Sequence, residues 1–238
     1  MNANRKTAII VGILYIIGTV AGILSVVLSN PILNDPGYLI KVSANENQLM
    51  IGALFVLLMG FSLALVPVMV FPIFRKQHEA LALGYIVFRG ALETVTDIAL
   101  VICWLFLMVL SREYVAAGAT ADSYFQTLGA LLRDGHESIN TILIIVFSLG
   151  ALMLYSMFYQ SRLIPRWISV WGFVAILLHL TTGFLIMFYL MSAFSTINMV
   201  VNLPIGLQEM VMAVWLVLKG FNPLESSSLL VKTDAIYA

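Results

Sequence analysis

ALALGYIVFRGALETVTDIALVICWLFLMVL, residues 80–110, runs for 31 positions with only Arg89, Glu93 and Asp97 charged. As a helix it extends about 46 Å, enough to cross the ~30 Å hydrocarbon core of a bilayer with length to spare. Lipid offers no partner to backbone N–H and C=O groups, so a run this apolar is a helix or a barrel strand. The alternation of a strand is missing, and the helix wins. Working outward, five further stretches share this character, near 8–28, 48–72, 137–160, 167–191 and 197–219. The expected fold is all-α: a polytopic membrane bundle of six transmembrane helices, filling a domain over 1–221 with a flexible cytoplasmic tail at 222–238.

The composition agrees. Apolar residues make up 61% of the 238 and charged residues 10%, where a soluble domain carries about 25% charge. That excludes a soluble enzyme, a disordered chain and a disulfide scaffold. Twelve Lys and Arg balance twelve Asp and Glu with no basic run, which argues against nucleic acid as a partner. The lipid bilayer is the expected partner. The single Cys103 reads as a small packing hydrophobe.

Basic residues orient the bundle. Arg5, Lys6, Arg75, Lys76, Arg162, Arg166, Lys219 and Lys232 fall on one side, against Lys41, Arg112 and Arg133 on the other. Both termini are therefore expected in the cytoplasm, in a multi-pass protein of the cytoplasmic (inner) membrane of bacterial type. The apolar run after Arg5 and Lys6 is too long for a signal-peptide core, which predicts an uncleaved first helix. Within it Gly18 and Gly22 have the GxxxG spacing; they suit close packing against a helix of the same chain or, more weakly, a homo-oligomer. Ser43 and Glu46 match a capping box at the start of the second span. Tyr124, Leu128, Leu131 and Leu132 predict a short amphipathic helix on the outer surface, and DGHES at 134–138 reads as a solvated cap. Pro204 is expected to kink the sixth span. Pro165, Arg166 and Trp167 mark an interface turn.

An ionisable side chain at mid-bilayer costs roughly 2.5–3.5 kcal/mol on insertion scales, so the exceptions carry the information. Arg89, Glu93 and Asp97 follow at i+4 steps and share a helix face. Measured from their helix ends, Glu93, Asp97, His179 and Glu209 come out near one depth, with Gln208 beside them. These residues form the candidate site for a small ligand or a proton. Three acids against one permanent base leave excess negative charge, to be offset by protons or a bound cation. Two other readings stay open: an intramembrane, metal-dependent enzyme, and a structural or accessory protein whose charges hold the bundle together. HExxH and GxSxG are absent and one mid-membrane histidine makes a poor zinc set, so no cofactor or metal is expected and no catalytic residue is named.

Five segments carry a resemblance: RKTAIIVGILYIIGTVAGILS at 5–25, YLIKVSANENQLMIGAL at 38–54, ALGYIVFRGALE at 82–93, SRLIPRWISVWG at 161–172 and LQEMVMAVWLVLKGF at 207–221. In this order they resemble a bacterial family of six-span membrane proteins catalogued as a domain of unknown function, number 4386 in that series. The resemblance spans about residues 5 to 221. It implies that Arg89, Glu93, the Pro165–Arg166–Trp167 turn and Gln208–Glu209 recur among relatives. Asp97 and His179 lie outside these segments, which favours a smaller core of Arg89, Glu93 and Glu209.

Overall fold

A computed structural model describes residues 3–119, 124–192 and 195–223; the tail beyond 223, with Lys232, lies outside the described residues. The described chain is helical: α1 (Ala3–Leu33), α2 (Tyr38–Ala44), α3 (Glu46–Tyr85), a π-helical segment (Ile86–Leu92), α4 (Glu93–Ala116), α5 (Tyr124–Ser161), α6 (Arg166–Met187) and α7 (Thr196–Leu218). Among the described residues, five continuous helical stretches are long and apolar enough to cross a membrane. The fold is that of a multi-pass membrane protein.

One of the five, Glu46–Ala116, is 71 residues long and would measure about 107 Å if straight. It is not straight. His78 has φ −148° and ψ 85°, which breaks the helix inside the basic FRKQHEA stretch. Beyond the break the chain runs back along itself. Arg112 grips the Glu46 carboxylate through Nε and Nη2 at 2.6 and 2.5 Å, Asp97 lies against Gly60, and Gly90 against Pro67. Partners that move outward on α3 while moving away from His78 on α4 define an antiparallel hairpin.

The other neighbours are antiparallel by the same test. Gly18 faces Leu63 and Gly22 faces Met59, so both glycines of the GxxxG pair pack α1 against α3 of the same chain. A Cβ at Gly18 would come within 2.7 Å of Leu63; only glycine permits this approach. Gly172 on Tyr155 and Gly183 on Ile144 join α6 to α5, and Gly12 on Ala213 and Val217 joins α1 to α7.

At the basic end of the bundle, Arg5 closes α7. Its guanidinium donates to the carbonyls of Leu216, Val217 and Leu218 at 3.3, 2.9 and 3.0 Å, satisfying groups that a helix C-terminus leaves open. Gly220, at φ +78°, then turns the chain away. Replacing Arg5 with Leu is expected to cost about 1 kcal/mol, read as an earlier thermal unfolding midpoint in detergent. Pro165 precedes α6, Arg166 lies over the Tyr159 ring at 5.0 Å, and Trp167 stacks on Trp171 at 6.3 Å.

Two local expectations are corrected. Ser43 lies inside α2, and Asn45 precedes α3 without a side-chain cap; the Glu46 carboxylate goes to Arg112, a stronger charged partner than a backbone N–H. No separate surface helix forms at 124–132, because no breaker interrupts α5 between Tyr124 and Ser161. Phe125 and Gly129 pack inward there, leaving Tyr124 and Leu131 exposed. Helix α7 continues through Pro204.

Candidate functional site

Arg89 sits in the middle of the π-helical segment. A π turn widens the helix by one residue and leaves a carbonyl short of its usual partner; the Thr94 hydroxyl donates to the Gly90 carbonyl at 2.7 Å. Such turns cluster at functional sites. Here the turn delivers a guanidinium that is 2% exposed.

That guanidinium is held by four helices. Its Nη1 lies 3.1 Å from Glu93 Oε1, and its Nη2 lies 3.3 Å from Glu209 Oε1 on α7. The Phe147 ring on α5 faces its Cζ at 4.6 Å, and the Tyr15 ring on α1 faces it at 5.8 Å; both arrangements favour the cation. Gly150 lets the π segment approach α5, since a Cβ there would meet the Arg89 backbone nitrogen at 3.2 Å. Arg89 lies eleven residues from the His78 break and Glu209 ten from Lys219, so both sit about 15 Å along their helices from the basic end.

Tyrosines surround the centre. The Tyr15 and Tyr85 hydroxyls are 3.2 Å apart. Tyr155 donates to Gln208 Oε1 at 2.6 Å, and Gln208 Nε2 donates to the Ile168 carbonyl at 3.0 Å. Gln208 thus ties α5, α6 and α7 together and makes no hydrogen bond to Arg89 or Glu93. Tyr15, Tyr85, Tyr155 and Phe147 did not stand out in the sequence; a readable signal was a tyrosine set deep within each of three otherwise aliphatic runs.

Of the four titratable residues expected near one depth, Asp97 and His179 make no direct bond to the Arg89–Glu93–Glu209 centre. Asp97 lies two turns outward of Arg89, about 12 Å along the helix. It is 1% exposed, abuts Gly60, and neither of its carboxylate oxygens has a hydrogen-bond partner. The His179 Nδ1–H donates to Asn202 Oδ1 at 2.7 Å, Asn202 lying seven residues before Glu209 on α7. His179 touches the centre only through the Phe147 ring, at 5.3 Å edge-on. Among the described residues, no group of three His, Cys, Asp or Glu side chains is placed to hold a metal ion.

A family model described as Domain of unknown function (DUF4386) matches residues 10–220. The chain belongs to that family. No curated protein and no solved structure matches it. The matched DUF4386 stretch includes Tyr15, Arg89, Glu93 and Glu209 and therefore the whole charged centre; Arg5 lies before it.

A cavity of about 490 Å³ opens in the half of the DUF4386 bundle away from its basic end, between α1, α3, α4 and α5. Arg89, Glu93, Asp97 and Glu209 are not among the residues lining it. Trp104, Cys103 and His136 are, so a cysteine read as packing and a histidine read as part of a solvated cap border open space.

Proposed function

We propose that this is a six-span inner-membrane protein of bacterial type, with both termini in the cytoplasm, whose buried centre binds a proton or a small cation. The hairpin at His78 supports six crossings, because each of its arms is long enough to span. The gathering of Arg5, Arg75, Arg162, Arg166 and Lys219 at one end supports the orientation.

The observation that carries the functional reading is the charge count. One guanidinium contacts two carboxyls, Glu93 and Glu209, and Asp97 adds a third without any hydrogen-bond partner. Uncompensated charge is costly at this depth, so neutrality calls for protons on the carboxyls or a cation beside them. The tight contacts around Arg89 leave a proton or bare ion as a better fit than an organic solute.

Thermal unfolding of the purified protein in lipid nanodiscs, followed across pH and across Na⁺, K⁺ and Mg²⁺ concentrations, tests this. The wild-type midpoint is expected to move with pH or with one cation, and Glu209→Gln and Asp97→Asn are expected to flatten that response. A wild-type response identical to that of both variants contradicts the proposal.

The close packing also favours a second reading, a structural one: Arg89, Glu93 and Glu209 lock the π segment to α7, and the protein serves as an accessory component. The substitutions argued in the Discussion separate the two.

A further inference from the structure

The outer cavity is graded along its length. Its inward end is apolar, bordered by Val56, Met59, Leu100 and Ile144. Toward the outer end of α5 the lining becomes polar, with Arg133, His136, Glu137 and Asn140 on successive turns. Ser25 and Ser29, both buried, continue that polar strip on α1. A site of this volume, mostly apolar with a few polar groups, is what small-molecule pockets look like.

Two observations show polar capacity left unused. Trp104 is 7% exposed, yet its Nε1–H has no hydrogen-bond partner; a buried donor without a partner costs about 1–3 kcal/mol. The His136 ring stacks on Trp104 at 5.5 Å and 16°, giving the cavity a flat aromatic wall. In addition, Arg133 and Glu137 stand one turn apart on α5, both half-buried. Among the described residues neither has an oppositely charged partner within 4 Å. Arg133 rests instead on the Tyr38 ring at 5.2 Å.

A mouth that presents one free cation and one free anion, above an apolar floor, is complementary to a molecule with the opposite arrangement. We propose that the cavity binds a zwitterionic amphiphile. Its apolar body lies inward between Met59, Leu100 and Ile144, and its head lies at the mouth. The anionic part of the head faces Arg133 and its cationic part faces Glu137. The Asn140 amide supplies hydrogen bonds at the level between head and body. This site is separate from the charged centre and does not depend on what that centre binds.

Cys103, the only cysteine in the chain, lines the same cavity and serves as a native reporter. The experiment measures its alkylation by N-ethylmaleimide in nanodiscs, with decylphosphocholine as the probe. Decyl maltoside (uncharged head) and decanoate (anionic head) are the comparisons. Decylphosphocholine is expected to slow labelling saturably, about tenfold at ten times its Kd by mass action, with the other two far weaker. Neutralising the mouth with Arg133→Gln plus Glu137→Gln is expected to raise the half-protecting concentration roughly tenfold while leaving the unprotected rate unchanged. Equal protection by all three heads overturns the proposal, as does protection that grows without saturating, the mark of a gap filled by bulk lipid. Preference for decanoate overturns the zwitterionic assignment. The head-group comparison needs only wild-type protein, so it stands even if the double variant fails to fold.

Discussion

Arg89→Met is expected to destabilise the protein by about 3–5 kcal/mol, the cost of leaving buried charges without their partner. The guanidinium bridges Glu93 and Glu209 across two helices and is itself faced by Phe147 and Tyr15. Its removal leaves two carboxyls without the charge that compensates them, in a setting where water does not relieve the cost. Unfolding by denaturant in mixed micelles, with wild type alongside, measures the loss. Arg89→Lys keeps the charge but loses the planar fork that reaches both acids, so its loss is expected to be intermediate. The triple variant Arg89→Met, Glu93→Leu, Glu209→Leu removes every member of the cluster. It is expected to recover most of the stability, because apolar replacements of a complete buried ion group are often neutral or better. Recovery of stability with the pH or cation response abolished supports a binding centre. Recovery in a protein whose wild type never showed such a response supports the structural reading. An Arg89→Met curve that overlays wild type contradicts both.

Gly12→Leu is the second large effect. A Cβ at position 12 would lie 2.6 Å from the Ala213 carbonyl oxygen and 3.2 Å from the Val217 nitrogen. Both are helix backbone and cannot rotate away. α1 and α7 must therefore separate, which opens the packing among Val11, Tyr15, Met212, Ala213 and Leu216, all of them buried. It also draws Arg5 off the carbonyls of Leu216, Val217 and Leu218. Overpacking a core costs typically 1–3 kcal/mol, and the rigid neighbours put this change at about the upper end. Gly206→Leu on the same α7 is the control. No atom lies within 4 Å of its added Cβ, so its effect is expected to stay within about 0.5 kcal/mol. A thermal-shift comparison in nanodiscs reads both; equal midpoints for the two variants would contradict the packing described for α1 and α7.

The parts legible in the sequence were those that depend on local spacing or on composition. Arg89 and Glu93 at i+4 predicted their ion pair directly, and the apolar runs predicted the long helices. Glu209 was legible by depth, since Lys219 marks the end of its own helix. The π segment was not, because a one-residue widening leaves no mark on a pattern read at 3.6 residues per turn. The partners of Asp97 and His179 were not legible either, because they are set by packing between helices: Asp97 abuts Gly60 and His179 meets Asn202, while α5 extends well beyond its apolar portion. That same extension explains the cavity. His136 and Glu137 read as a solvated cap, and Arg133 as a loop charge, while the fourth span was expected to start at residue 137; on a helix that begins at Tyr124 they line an interior wall instead.

The central claim is that three buried acids outnumber one buried base and are neutralised by a proton or a cation. Infrared spectroscopy of the carboxyl carbonyl stretch, in nanodiscs at neutral pH and with H₂O exchanged for D₂O, tests it most directly. The account predicts a neutral carboxyl band that weakens in Glu93→Gln, Asp97→Asn or Glu209→Gln, or, if the band is missing, a saturable cation-dependent change in the carboxylate bands that these variants abolish. Three ionised carboxylates whose bands ignore every cation tested would contradict it.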